Sequence, residues 1–220
     1  MERTTKLETA QKIMGKNFIG PEELVKISQF LKIAIPKGFP NVPFEKSFLK
    51  KIKKDYILIL GISKDKNGKA LTINRMREIF GTDPKKSEPC FYNQDWYLKE
   101  KFADKETLDF NWYLISKKVE DKTRSKDPNT IIKNLNNKQS LPSAVLSAFT
   151  FFTYYLLKRG ILWEKDFIWC KDQDANGDRI YVGRYKDVKK INKNGFNIHR
   201  HLSIRHYYGF APEYCPEFKS

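Results

Sequence analysis

The sequence predicts an α+β protein in which a mixed sheet packs on a buried apolar helix and the chain ends in an antiparallel β-meander. Three observations favour this class. Residues 56–62 form a nearly continuous apolar run, as expected of a strand buried on both faces. Residues 142–159 are apolar nearly all round, which indicates a helix inside the protein. After that helix, turn residues separate three short segments of strand-like composition.

The first 35 residues are predicted to form a helical appendage. Helices are expected over residues 5–14 and from Gly20-Pro21 onward, where Glu22 and Glu23 in the first turn favour the helix dipole. Residues 36–43 contain three prolines, which remove hydrogen-bond donors and fix φ, so they are interpreted as a connector. The expected organisation is therefore an appendage over residues 1–35, a connector over 36–43 and a main α+β domain over 44–220.

Several elements are expected between the connector and the buried helix. Thr72 is a good N-cap and Gly81 a good C-terminal residue, so a helix is predicted between them, reaching Phe80. The remaining predictions are a basic helix over residues 44–54, a turn at Asn67-Gly68, a helix over 95–103 and a strand over 112–118. Residues 120–140 are polar and are expected to form a loop or a weak helix.

The C-terminal meander is predicted from three strands and the turns between them. The strands are expected over residues 167–170, 179–185 and 196–205, and the turns contain Asn176-Gly177 and Asn194-Gly195. Side chains alternate along a strand, so Asn197, His199, His201 and Arg205 are expected to share one face of the last strand.

The charge of the chain predicts a polyanionic partner. Its 42 Lys and Arg residues outnumber the 26 Asp and Glu residues and give a formal net charge of +16. Such a potential favours nucleic acid, DNA or RNA, contacted mainly through phosphates. The chain is rich in Lys, Ile, Asn, Phe and Tyr, as are proteins of AT-rich genomes. Codon supply is therefore a second explanation of the lysine content, and the charge alone does not identify a binding surface. The candidate contact lysines are Lys50, Lys51, Lys53 and Lys54 on a helix, and Lys186, Lys189, Lys190 and Lys193 in a loop.

Two tyrosines on the second meander strand are candidates for stacking on unpaired bases. Ile180 and Val182 are expected to face the core, which would leave Tyr181 and Tyr185 outward beside Arg179 and Lys186. Together with the lysines, these residues complete the predicted nucleic-acid surface.

The first alternative is a metal-dependent nuclease or phosphodiesterase. The three histidines of the chain fall within eight residues, and two imidazoles on one strand face can bind metal or transfer protons. The candidate catalytic residues are His199, His201 and Arg205. The candidate metal ligands are Asp172, Asp174 and Asp178, and the expected cofactor is Mg²⁺ or another divalent cation. The same acidic segment is also typical of a polar hairpin turn that binds no ion, because a calcium loop would need Glu where Gly183 stands.

The second alternative is a basic structural or interaction module of a nucleoprotein or viral assembly. Such a module would bind a protein partner. Three widely spaced cysteines without a CxxC pair are typical of reduced thiols, so a cytoplasmic location is expected. Neither an export signal nor a membrane span is expected.

Overall fold

Two β-sheets and a largely buried helix form the core of the protein. The computed structural model describes residues 4–185, 195–200 and 203–216. The first sheet has the strand order β1-β2-β3-β9-β4 and the second the order β7-β6-β5-β8. The strands are β1 (Phe18–Ile19), β2 (Tyr56–Leu60), β3 (Trp112–Ser116), β4 (Gln139–Ser140), β5 (Phe167–Gln173), β6 (Arg179–Tyr185), β7 (Gly195–Arg200), β8 (Tyr208–Gly209) and β9 (Glu213–Tyr214).

The described residues include seven α-helices. They are α1 (Leu7–Met14), α2 (Pro21–Leu31), α3 (Lys46–Ile52), α4 (Ile73–Phe80), α5 (Lys101–Asp104), α6 (Pro128–Lys133) and α7 (Ala144–Lys158), with short 3₁₀ turns at Gly15–Asn17 and Asp121–Thr123. The caps of α4 are those predicted, since the Thr72 side chain accepts a hydrogen bond from the Arg75 amide and Gly81 follows with φ 70°.

The first sheet is built around β2, whose five residues are all buried. It runs parallel to β1 and antiparallel to β3, and β3 in turn pairs antiparallel with β9, so the sheet is mixed as predicted. In the β2–β3 register Tyr56 lies opposite Ser116. The residue before β2 and the residue after β3 are therefore neighbours at one end of the sheet.

The segment predicted as an appendage contributes directly to this sheet. Phe18 and Ile19 form β1, and Leu24 and Leu31 of α2 belong to the same apolar cluster as β2. Residues 4–35 therefore share a core with the later part of the chain. The domain boundaries stay a prediction.

The second sheet contains the C-terminal meander. Strands β5, β6 and β7 follow one another in sequence and pair antiparallel, while β8 adds to β5 in parallel. Helix α7 covers one face of this sheet through contacts with β5 and β6, and it also packs against α2 and α4. The other face is covered by a smaller cluster that includes Trp169, Tyr181, Tyr208 and Phe210.

Helix α7 is the buried apolar helix of the prediction. The Ser143 side chain caps it by accepting from the Leu146 amide, and residues 144–153 are buried throughout. The helix ends at Lys158, and the C-cap residue Arg159 adopts the left-handed conformation with φ 55°. With its mixed first sheet and antiparallel C-terminal strands, the structure confirms the α+β class.

The helix predicted over residues 95–103 is shorter than expected. Only Lys101–Asp104 is α-helical, and the preceding residues form turns in which the Leu98 amide donates to Asp95 and the Glu100 amide to Tyr97. These turns bury the Tyr97 ring and leave the Trp96 indole nitrogen to donate to Gln94 Oε1. Tertiary packing of two large aromatic side chains outweighs the local helix propensity here.

Phe152 of α7 is the centre of an aromatic cluster that joins four parts of the chain. Its ring stacks on Phe80 of α4 at 3.9 Å and on Phe91 at 4.7 Å, and it lies 5.6 Å from Phe196 of β7. All four side chains are at most 1% exposed. Buried aromatic pairs contribute beyond their area burial, so this cluster is a major determinant of stability.

We predict that Phe152→Ala lowers the free energy of unfolding by about 3–5 kcal/mol, because it leaves a cavity among three other rings. Urea denaturation followed by tryptophan fluorescence measures the change. Val25→Ala, at a position 58% exposed on α2, is the control and should change stability by less than about 0.5 kcal/mol. Equal effects in the two variants would contradict the assigned core.

Candidate nucleic-acid interface

Five lysines gather at one end of the first sheet, where α1, α3, β2 and β3 meet. We call Lys16, Lys53, Lys54, Lys117 and Lys118 the lysine cluster. Lys53 and Lys54 stand between α3 and β2, Lys117 and Lys118 follow β3, and Lys16 belongs to the 3₁₀ turn after α1. The Lys117 amide donates to the Asp55 carbonyl at 2.8 Å, which extends the β2–β3 ladder and joins the two lysine pairs.

Asn17 holds this arrangement together. Its side chain is buried, and its amide Nδ2 donates to the Lys53 carbonyl at 2.6 Å. Its Oδ1 accepts from the Lys117 Nζ at 3.2 Å. One buried amide therefore fixes the backbone of the α3–β2 turn and positions the ammonium group of Lys117.

The cluster has little acidic compensation. Asp55 is the nearest carboxylate and forms an exposed ion pair with Lys118, with 3.5 Å between Oδ1 and Nζ. Within the described part of the chain, Lys16, Lys53 and Lys54 form no ion pair. Burial, followed by the nearby Lys16 and Lys118 charges, holds the pKa of Lys117 below its ordinary value, although Asp55 acts in the opposite sense. A bound anion, such as phosphate, would offset the repulsion from Lys16 and Lys118, which is the smaller contribution to the lowered pKa.

Sequence reasoning found only part of this group. Lys53 and Lys54 were predicted, whereas Lys16, Lys117 and Lys118 were missed because they belong to segments distant in sequence. A usable signal existed, since Lys117 and Lys118 directly follow a predicted strand and Lys53 and Lys54 directly precede another. Antiparallel pairing of those strands would have suggested their proximity.

A cavity of about 270 Å³ lies beside α3, which contains the other two lysines predicted on this helix. Lys50 and Lys51 are both exposed, and Lys51 lines this cavity together with Lys138. The remaining lining residues come from the start of α3 and from the C-terminal segment and are mostly apolar or aromatic: Pro43, Phe44, Glu45, Ser47, Phe48, Tyr214, Cys215 and Pro216.

The outward position that the predicted stacking role of Tyr181 requires is not observed. Tyr181 is only 4% exposed, because the outer face of the second sheet is covered by the smaller aromatic cluster. Its hydroxyl accepts from Tyr208 at 3.1 Å, and burial, ahead of its contacts with Tyr208, raises its pKa. Arg179 is half-buried and donates to the Lys171 carbonyl at 2.8 Å. Lys186, Lys189, Lys190 and Lys193, and the Tyr185 side chain, lie outside the described residues.

Asp174, a predicted metal ligand, stabilises its own hairpin. The carboxylate is fully buried, and its Oδ1 accepts from the amides of Asn176 and Asp178, both at 2.9 Å. Its Oδ2 pairs with Arg200 at 2.8 Å. Its pKa is lowered because these hydrogen bonds and the Arg200 charge together outweigh burial, which alone would raise it. Asp178 is exposed. The geometry is that of the polar hairpin turn that the sequence analysis left as the other interpretation.

Asp172, the second predicted ligand, belongs to β5, and its carboxylate lies at the N-terminus of α7. Its Oδ2 accepts from the Ala144 amide at 2.6 Å, a favourable place for a carboxylate. Burial is the main cause that raises its pKa, and the nearby Glu106 charge adds to the rise. Asp172 is also close to Glu213 of β9. Burial is the main cause that raises the pKa of Glu213 to about 7, and the Asp172 charge adds to the rise, whereas the Lys171 charge opposes it.

The structure does not bring the predicted histidine and aspartates together. His199 lies opposite Tyr181 in the β6–β7 register and stacks on its ring at 5.4 Å, on the face away from α7. Asp172 contacts α7. Asp174 pairs with Arg200, and Arg200 lies opposite the core residue Ile180, which is on the face toward α7. The sheet therefore separates the imidazole from both carboxylates.

The other two predicted catalytic residues are Arg205 and His201. Arg205 is exposed and donates to the Tyr207 hydroxyl at 3.2 Å, while His201 lies outside the described residues. Among residues 4–185, 195–200 and 203–216, no group of three or more His, Cys, Asp or Glu side chains is arranged to hold a metal ion.

Comparisons with known proteins identify no relative. No protein-family model, no curated protein and no solved structure matches this chain. In the part of the chain that the structure describes, none of the helices has the length and apolar character needed to cross a bilayer.

We predict that stability falls as pH rises from about 4.5 to about 7, because folded Glu213 keeps a proton that the unfolded chain releases above its ordinary pKa of 4.5. Glu213→Gln should remove most of this fall and should exceed the parent in stability at pH 8. Urea midpoints measured from pH 4 to pH 8 provide the test. Glu8→Gln, an exposed position on α1, should follow the parent; a Glu213→Gln curve that also follows it would contradict the assignment.

Proposed function

We propose that the protein binds nucleic acid through phosphate contacts made by the lysine cluster. The observation that carries this proposal is the convergence of Lys53 and Lys54 with Lys16, Lys117 and Lys118, which the chain anchors through buried Asn17. Concentrating like charge at one fixed place costs stability, and a bound polyanion offsets that cost. Contacts of this kind position a nucleic acid and carry no sequence information directly.

The proposal is for binding rather than hydrolysis. A metal-dependent nuclease needs carboxylates and a base that converge on one phosphate, and the second sheet separates His199 from Asp172 and Asp174. The interaction-module alternative would need a continuous exposed apolar patch. Of the large apolar side chains exposed in the described residues, Val25 and Phe30 share α2, and the others lie in separate segments: Phe39, Ile132 and Ile204.

We predict that replacing Lys53 and Lys54 together by Gln weakens nucleic-acid binding and reduces its salt dependence. If both lysines neutralise phosphates, the slope of log K against log salt should become shallower by about 1.4 for single strands and about 1.8 for duplex, because each phosphate contact releases condensed counterions. Fluorescence anisotropy with mixed-sequence oligonucleotides between low and moderate salt measures both quantities.

The matched control for this experiment is the Lys85→Gln, Lys86→Gln double variant. These two lysines are also consecutive and exposed, but they lie in the loop between α4 and the segment beside β7. The control loses the same net charge. If it reduces the slope as much as the cluster variant does, the binding depends on total charge and not on the cluster, and the proposal fails. Absence of salt-dependent binding by the parent protein would also end it.

A further inference from the structure

The cavity beside α3 has the size and lining of a site for one flat ring system. Its volume of about 270 Å³ lies just below the roughly 300–1,000 Å³ typical of sites for drug-sized ligands. Phe48 and Tyr214 form one aromatic side of the lining, because their rings contact each other edge to face with centroids 4.9 Å apart at an interplanar angle of 80°. Tyr214 also packs on Tyr56 of β2 at 5.2 Å, so its ring is held against the core. Rigid aromatic walls of this kind stack on bases of any sequence.

The charges around the cavity are complementary to a phosphate-bearing ligand. Lys51 and Lys138 both contribute to its lining. The acidic residue of the lining is Glu45, whose Oε2 accepts from the Ser47 hydroxyl at 3.2 Å. A base with a free edge offers amino groups to such a carboxylate, while its flanking phosphates face the two lysines.

The cavity lies beside α3, and two members of the lysine cluster follow the end of the same short helix. Helix α3 has seven residues and is therefore about 10 Å long. Lys51 lines the cavity, and Lys53 and Lys54 follow within three positions. A strand whose phosphates contact the cluster therefore passes close to the cavity. In a duplex the bases are paired and stacked, and one could enter only at the cost of being flipped out.

We propose that this cavity binds one unpaired base, so that single-stranded nucleic acid is the preferred ligand of the protein. The inference rests on the proposed function and adds the substrate class. The cluster provides attraction for any polyanion, whereas the cavity lined by Phe48 and Tyr214 discriminates single strands from duplex.

Cys215 provides a direct test, because its exposed thiol lines the cavity. The two other cysteines are buried, and burial raises the pKa of Cys90 to about 11 and also raises the pKa of Cys170, so both thiols react slowly. The alkylation rate of Cys215 is measured by mass spectrometry with the protein alone, with a mixed-sequence single strand of about 16 nucleotides and with the matching duplex. We expect the single strand to slow alkylation about tenfold and the duplex to change it less than about twofold.

A second measurement avoids dependence on the labelling reaction. Cys215→Trp should fill the cavity from an exposed position and weaken single-strand binding about tenfold, the scale of one stacked base, while leaving duplex binding unchanged. Cys215→Ser is the matched control and should bind like the parent. Tyr214→Leu should remove the preference for single strands without changing the salt slope.

The outcomes separate the two proposals. Salt-dependent binding of the single strand with no protection of Cys215, or equal protection by duplex, would overturn the base site and leave the lysine cluster standing. Absence of salt-dependent binding to either nucleic acid would overturn the proposed function, and the base site with it.

Discussion

The antiparallel register of β2 and β3 is the constraint from which the candidate interface follows. All five residues of β2 are buried, so polar side chains can follow only beyond the ends of the strand. Tyr56 pairs with Ser116, and this pairing brings the lysines before β2 beside the lysines after β3. Buried Asn17 then connects this end of the sheet to α1 and α3. A shift of one residue would turn the buried side chains of β2 to the opposite face, so the core and the basic surface are fixed together.

The aromatic cluster around Phe152 connects the second sheet to two helices. It joins α7, α4, the segment at Phe91 and β7. Helix α7 also packs against α2, whose apolar residues share a core with β2. In the described part of the second sheet, two of the predicted site residues have structural partners. Its buried carboxylate Asp174 stabilises a hairpin, and the His199 ring packs on Tyr181. Two residues predicted from the sequence as parts of one catalytic site, Asp174 and His199, thus have structural partners on opposite faces of the second sheet.

The sequence predicted the fold class and most elements, because α7, β2 and the capped helix α4 have strong local patterns. The sequence-based predictions were wrong where tertiary contacts determine the local structure or the exposure of a side chain. Trp96 and Tyr97 are packed in a way that breaks a helix with reasonable local propensity. Tyr181 is buried because a second cluster, formed by residues distant in sequence, covers a face that alternation alone marks as solvent-exposed. Two of the five lysines of the cluster were predicted: Lys53 and Lys54 form a visible run, but Lys117 joins them only through strand pairing.

The most direct test of the central claim is lysine footprinting, in which exposed amines are acetylated with and without bound single-stranded nucleic acid and quantified by peptide mass spectrometry. A fixed cluster predicts protection concentrated at Lys53, Lys54 and Lys118, with Lys101 and Lys158, exposed on α5 and α7, reacting as in the free protein. Protection spread evenly over all exposed lysines, or concentrated away from the cluster, would show that net charge and not this site attracts the nucleic acid.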